Sequence, residues 1–133
     1  MRQIIFRAKR IDNGEWVQGD LVRNAFNGSS KVMDFGIQRP NYFPHEVDPE
    51  TVCQFTGLTD KNGVKIWENE WLYATVRSAV FHNYQGKVIF YNGSFLLHAI
   101  DPETGLFNNI DDAKPLSDYY ELQVINNPEL LNQ

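Results

Sequence analysis

Asn-Gly pairs, among them Asn13-Gly14, Asn62-Gly63 and Asn92-Gly93, cut this chain into short ribbons. Asn and Gly are the residues that best tolerate positive φ, so each pair favours a tight reversal between two strands. The segments around them alternate. In QIIFRAK, Ile4, Phe6 and Ala8 alternate with Ile5, Arg7 and Lys9, the period of a strand with one buried face. No stretch sustains a helical period for more than about two turns. The pattern predicts an all-β chain of small barrel-like, SH3-like β units with meander hairpins and little helix.

EWVQGDLVR continues the first hairpin, and GSSKVMDFGIQRPNYFPHEV is a broken segment punctuated by Gly28, Gly36, Pro40 and Pro44. The tetrapeptide DPET occurs twice, at Asp48–Thr51 and Asp101–Thr104. In each copy the aspartate can accept bonds from amides two and three residues on while proline fixes φ, so both read as Asx turns rather than as paired catalytic acids. TDKNGVKIW reads as a hairpin held by Asp60 and closed by Gly63. In AVFHNYQGKVIFYNGSFLLHAI, turns at Tyr84–Gly86 and Asn92-Gly93 predict a three-strand meander. DPETGLFNNIDDAKPL reads as an acidic loop, DYYELQVI as a strand, and NPELL as one helical turn capped by Asn127.

At 133 residues and 15.4 kDa, mass scaling gives about 22,000 Å² of surface unfolded against about 7,000 Å² folded, enough burial for a core without staples. The expected organisation is a single domain over 1–133 or two β subdomains, about 1–45 and about 46–133, divided in the Pro40–Pro44 stretch. The single cysteine, Cys53, reads as a small buried hydrophobe. No apolar run is long enough to span a bilayer, and Arg7 interrupts the N-terminal one. These features predict a cytoplasmic protein without a membrane partner.

The net charge of −5 disfavours nucleic acid, which needs a dense basic face. Residues 101–133 carry seven acids against one lysine, and the first hundred are nearly neutral. Arg2, Arg7, Lys9 and Arg10 are the only basic cluster, and alternation puts Arg7 and Lys9 on one face of a strand and Arg2 and Arg10 on the other.

His45, His82 and His98 are dispersed, and only the last two share a meander that could bring them together. Two histidines without a third ligand do not make a zinc site. Neither a nucleophile elbow nor a phosphate-binding glycine loop occurs. The residues therefore nominate no catalytic, cofactor-binding or metal site and predict no enzyme. The aromatics Trp16, Trp67, Trp71, Tyr73, Phe81, Tyr84, Phe90, Tyr91 and Phe95 read as core or subunit contact, with a stacking platform for single-stranded nucleic acid as the alternative. Trp67 and Trp71 have the same parity and are expected on one sheet face.

MRQIIFRAKR with GEWVQGDLV, then VDPETVCQFTGLTDKNGVKIWENEWL, GKVIFYNGSF and NNPELL, together resemble the YopX family of bacteriophages and of prophage or mobile regions. The central run, DPETV-x-Q-[FY]-TGL-x-D-x-NG-x-x-I, is its specific part. The resemblance implies small barrel-like β units and offers no catalytic set to carry over. It implies a phage or prophage accessory protein working through protein contacts, as a homo-oligomer or on a phage or host protein. The chain departs from the family pattern in having Cys53 for Gly, Glu68-Asn69-Glu70 for Glu-Gly-Asp, and Val124-Ile125-Asn126 before the final Asn-Pro-Glu-Leu. The second departure removes a glycine from a turn.

Overall fold

The computed structural model describes residues 3–23, 30–34, 43–76 and 82–125. The chain forms two compact units, Met1–Gly57 and Leu58–Gln133. The division thus falls after Gly57, whereas the sequence reading placed it near Pro40–Pro44. Pro44 stands in an edge strand, a position in a sheet where proline is tolerated, and Pro40 lies outside the described residues.

In the first unit, β1 (Phe6–Lys9), β2 (Trp16–Arg23), β3 (Ser30–Asp34), β4 (Phe43–Val47) and β5 (Cys53–Thr59) form an antiparallel sheet ordered β4-β3-β2-β1-β5, with the last residues of β5 passing into the second unit. The alternation read from the sequence sets the register. Ala8 pairs with Val17 and Leu21 with Val32, so one face gathers Ala8, Val32 and Val47 into a fully buried core flanked by Val17, Leu21 and Val52.

The first hairpin differs from a two-residue Asn-Gly turn. Arg10 donates to the Glu15 carbonyl at 2.9 Å across a four-residue loop. Gly14 alone takes the left-handed conformation (φ 72°), while the Asn13 side chain accepts from the Glu15 amide at 2.9 Å. Asparagine here closes the turn through its side chain.

A single bridge, Arg10 to Val47, brings the end of β4 back to the end of β1. The first DPET copy follows as an Asx turn, with Glu50 N–H donating to Asp48 Oδ1 at 3.0 Å. Thr51 Oγ1 accepts from the Lys9 amide at 2.8 Å. One bridge curls the sheet without closing it, so the barrel-like expectation is corrected to open sheets in an all-β chain.

The second unit contains β6 (Lys65–Trp67), β7 (Trp71–Val76), β8 (His82–Tyr91), β9 (Ser94–Ala99), β10 (Lys114–Pro115) and β11 (Glu121–Val124). Its sheet runs β10-β9-β8-β7-β11, antiparallel throughout. One face packs Leu72, Ala74, Val88, Leu97 and Leu122 with Ile66 of β6 and Leu116 of a short 3-10 turn, and Phe95, Tyr119 and Val124 border this core.

Only one of the two expected meander turns exists. Asn92 (φ 50°) and Gly93 (φ 81°) are both left-handed and join Tyr91 to Ser94 in a two-residue reversal. β8 instead runs straight through Tyr84–Gly86. A Cβ on Gly86 would stand 2.7 Å from the His98 carbonyl oxygen and 2.9 Å from Ala99 Cα. This glycine serves close strand approach rather than a bend.

The acidic segment after β9 is partly ordered as a ribbon. The second DPET copy again forms its Asx turn, with Glu103 N–H to Asp101 Oδ1 at 2.8 Å. Here, however, Gly105 closes the loop onto the Asp101 carbonyl at 2.8 Å, and Ile100 bridges Phe107. DYYELQVI supplies β11 as expected, and the NPELL turn lies outside the described residues.

The turn from β6 to β7 shows what the departure at Asn69 means. Asn69 is left-handed at φ 72°, with Glu70 N–H donating to the Trp67 carbonyl at 3.2 Å and Asn69 N–H to the Val88 carbonyl at 2.8 Å. Asparagine is the side chain that pays least for this conformation, which costs other L-residues about 1–2 kcal/mol. Replacing Asn69 by Gly is expected to leave stability within about 0.5 kcal/mol of the parent, and replacing it by Val to lower it by about 1–2 kcal/mol, measured by denaturant unfolding.

Candidate interaction face

The second sheet's other face is not core. In the antiparallel register, Trp71, Lys87 and His98 form one row across β7, β8 and β9. The next row holds Gln123, Tyr73 and Gln85, and the one beyond it Glu121, Thr75 and Asn83. Because side chains alternate along each strand, these residues point opposite to Leu72, Ala74 and Leu122. Trp71, Tyr73, Thr75, Gln85, Lys87, His98 and Gln123 are all half-buried.

The face is tied together locally. Gln85 Nε2 donates to the Tyr73 hydroxyl at 2.6 Å, and the Thr75 hydroxyl donates to Asn83 Oδ1 at 2.9 Å. Phe107, carried by the ribbon after β9, stacks on His98 with centroids 4.4 Å apart and on Trp71 at 5.6 Å. His98 Nε2–H donates to the Asn108 carbonyl at 2.9 Å. Two adjoining grooves of about 360 Å³ each meet at Tyr73 and Asn83, one extending to Ile100, Pro102 and Gly105, the other to Lys61, Glu121 and Gln123.

Both edges of this sheet are covered or short. The Asp60 loop lies along β11: Lys61 N–H donates to the Leu122 carbonyl at 2.9 Å, and Val124 N–H donates to Asp60 Oδ2 at 3.1 Å. The same carboxylate accepts from Asn62 and Val64 at 2.8 and 2.9 Å. Burial would raise the Asp60 pKa, but the amides of Val124, Val64 and Asn62 and the charge of Lys61 outweigh it, and the net shift is downward. At the opposite edge β10 has two residues, one of them Pro115. Such edges resist addition of a foreign strand.

The expected approach of His82 and His98 does not occur. His98 sits opposite Lys87, five residues along β8 from His82, which is about 17 Å at strand rise. His45 belongs to β4 in the first unit. Among the described residues no group of three or more His, Cys, Asp or Glu side chains could hold a metal ion, and no described helix is long and apolar enough to cross a membrane. Burial raises the Tyr119 pKa, helped by Tyr84 and Asp118. Tyr119 borders the core, so the cause is packing.

The aromatics divide. Trp67 is buried in β6 while Trp71 lies on the outer face, because the left-handed Asn69 breaks the parity that joined them in the sequence. Phe90 meets Phe95 edge to face at 5.1 Å near the β8–β9 turn. In the first unit, Trp16 is half-exposed and lies under the Arg7 guanidinium at 4.6 Å and the Lys9 ammonium at 5.4 Å. Phe81 lies outside the described residues.

The signal for the outer face is present in WLYATV and HNYQGKVIF, where Trp71, Tyr73 and Thr75 alternate with the core and Asn83, Gln85 and Lys87 do the same. Assigning Gly86 to a turn hides it by cutting β8 in two.

The family model described as YopX protein matches residues 5–132. The chain belongs to the YopX family. Nothing among curated proteins matches it. The YopX match embraces the DPET turn, the Asp60 hairpin and every strand of both sheets.

Proposed function

We propose that this YopX chain is a non-enzymatic phage or prophage accessory protein of the bacterial cytoplasm that acts through protein contacts, as a homo-oligomer or on a phage or host protein. The observation that supports this reading is the outer face of the second sheet. It holds amides, hydroxyls and stacked rings at its centre, with the charged Lys87 and Glu121 in its outer rows, grooved and lying between edges that disfavour strand addition. Aromatic residues are enriched at the cores of interfaces, and charges gather at their rims.

The test compares the parent with a Trp71→Ala/Tyr73→Ala variant by size-exclusion chromatography with light scattering and by quantitative capture of a partner from host cells. The double substitution is expected to weaken self-association or capture at least tenfold while the unfolding transition remains cooperative. A parent that is strictly monomeric and captures nothing overturns the reading. Arg7 and Lys9 over Trp16 favour a second one, single-stranded nucleic acid. Salt-sensitive retention of an oligonucleotide in filter binding, lost in Trp16→Ala, would replace the first with it.

A further inference from the structure

We propose that Asn92 is a site of spontaneous self-modification, at which the side-chain amide is lost and the tip of the β8–β9 hairpin gains an aspartyl or isoaspartyl residue. Asparagine before glycine is chemically set for this reaction, because a residue without a Cβ leaves its backbone nitrogen open to attack the neighbouring carboxamide. Among the described residues three such pairs occur, Asn13-Gly14, Asn62-Gly63 and Asn92-Gly93, and all are exposed. Space does not separate them, since a Cβ on Gly14, Gly63 or Gly93 would meet nothing within 4 Å.

Hydrogen bonding does. Gly14 N–H donates to the Arg10 carbonyl at 2.9 Å, and Asn13 Oδ1 is itself occupied by the Glu15 amide. Gly63 N–H donates to the Asp60 carbonyl at 3.0 Å, and Asn62 N–H to Asp60 Oδ1 at 2.8 Å. At the third pair both residues are left-handed, at φ 50° and 81°, and in such a two-residue reversal the second amide points to solvent. Among the described residues Gly93 N–H has no acceptor and the Asn92 carboxamide no partner. Turning the glycine nitrogen onto the asparagine Cγ therefore breaks a hydrogen bond of that amide at the first two pairs and none at the third.

The Gly93 nitrogen gives its proton to water and bonds to Asn92 Cγ; the Cγ–Nδ2 bond breaks, and the amide takes up a proton and leaves as ammonia. Water then opens the cyclic imide. Attack at Cγ leaves aspartate, and attack at the main-chain carbonyl leaves isoaspartate, whose main chain runs through Cβ and Cγ. One water is consumed for each ammonia released, with no oxidant or reductant. Either product adds a carboxylate to a chain of net charge −5. Isoaspartate also lengthens a reversal that has two residues between Tyr91 and Ser94, beside the Phe90 and Phe95 rings packed at 5.1 Å.

The experiment incubates the full chain, folded and in urea, in warm, mildly alkaline water enriched in heavy oxygen, and follows each pair by peptide mapping with mass spectrometry. A cooperative unfolding transition recorded on the same sample shows that the folded arm is folded. Asn13 and Asn62 are expected to react at least fivefold more slowly folded than in urea, and Asn92 within about twofold of its rate in urea, gaining one heavy oxygen as ammonia is lost. Folding that slows Asn92 as much as the other two, or that protects none of the three, would overturn the proposal. So would an Asn92 that reacts no faster than Asn13 and Asn62 in the folded chain.

Discussion

Asp60→Ala is expected to destabilise the second unit by about 3–5 kcal/mol, enough to unfold a domain of ordinary stability in part at growth temperature. The reason is the number of donors that share one buried carboxylate. Asp60 is 7% exposed and receives the amides of Asn62, Val64 and Val124. Removing it leaves all three without their acceptor and frees β11 from the loop that covers its edge. Asp60→Asn keeps the shape but turns an N–H₂ toward donors, and about half the loss is expected.

The acid dependence follows from the same bonds. Because the amides and Lys61 hold the folded pKa below the ordinary carboxylate value, folding favours the ionised form. That contribution is complete above the unfolded pKa of about 3.9 and is lost as pH falls through the folded value. Urea unfolding at stepped pH is therefore expected to show parent and Asp60→Asn converging below about pH 4 and separated at pH 7. A gap that persists unchanged into acid would contradict the assignment.

Gly86→Val is expected to be comparably severe, about 3 kcal/mol or more, with Gly86→Ala costing somewhat less. Even the first added carbon meets backbone at 2.7 and 2.9 Å. The obstructing atoms belong to β9, so relief requires separating the β8–β9 pair that carries Val88 and Leu97 of the core. Thermal unfolding checks this directly. By contrast, a glycine that merely closed a turn at this place would tolerate alanine at a cost of about 1 kcal/mol.

That contrast shows where the sequence was legible. Period-two alternation revealed β1 because side-chain direction in a strand depends only on local parity, and β2 and β9 were legible as strand-forming runs next to Asn-Gly turns. Both DPET copies were readable as Asx turns because the stabilising bond runs from aspartate to an amide two residues on. Asn92-Gly93 was readable for the same local reason. Gly86 was not, since its requirement comes from His98 and Ala99, twelve and thirteen residues away. Nor could parity place Trp67 and Trp71 once Asn69 turned left-handed. The outer face escaped notice because it needs three strands in register before Trp71, Tyr73, Gln85 and His98 become neighbours, and Phe107 reaches them from a segment with no periodic signal.

We propose that this YopX chain works through the outer face of its second sheet. Hydroxyl-radical footprinting of the protein in its assembled state, whether its own oligomer or a complex taken from host cells, tests it against the dilute free chain. Oxidation of Trp71, Tyr73 and Phe107 is expected to fall severalfold on assembly while Trp16 stays equally reactive. Unchanged oxidation at those three rings, with protection confined to Trp16 or other surfaces, would contradict the account.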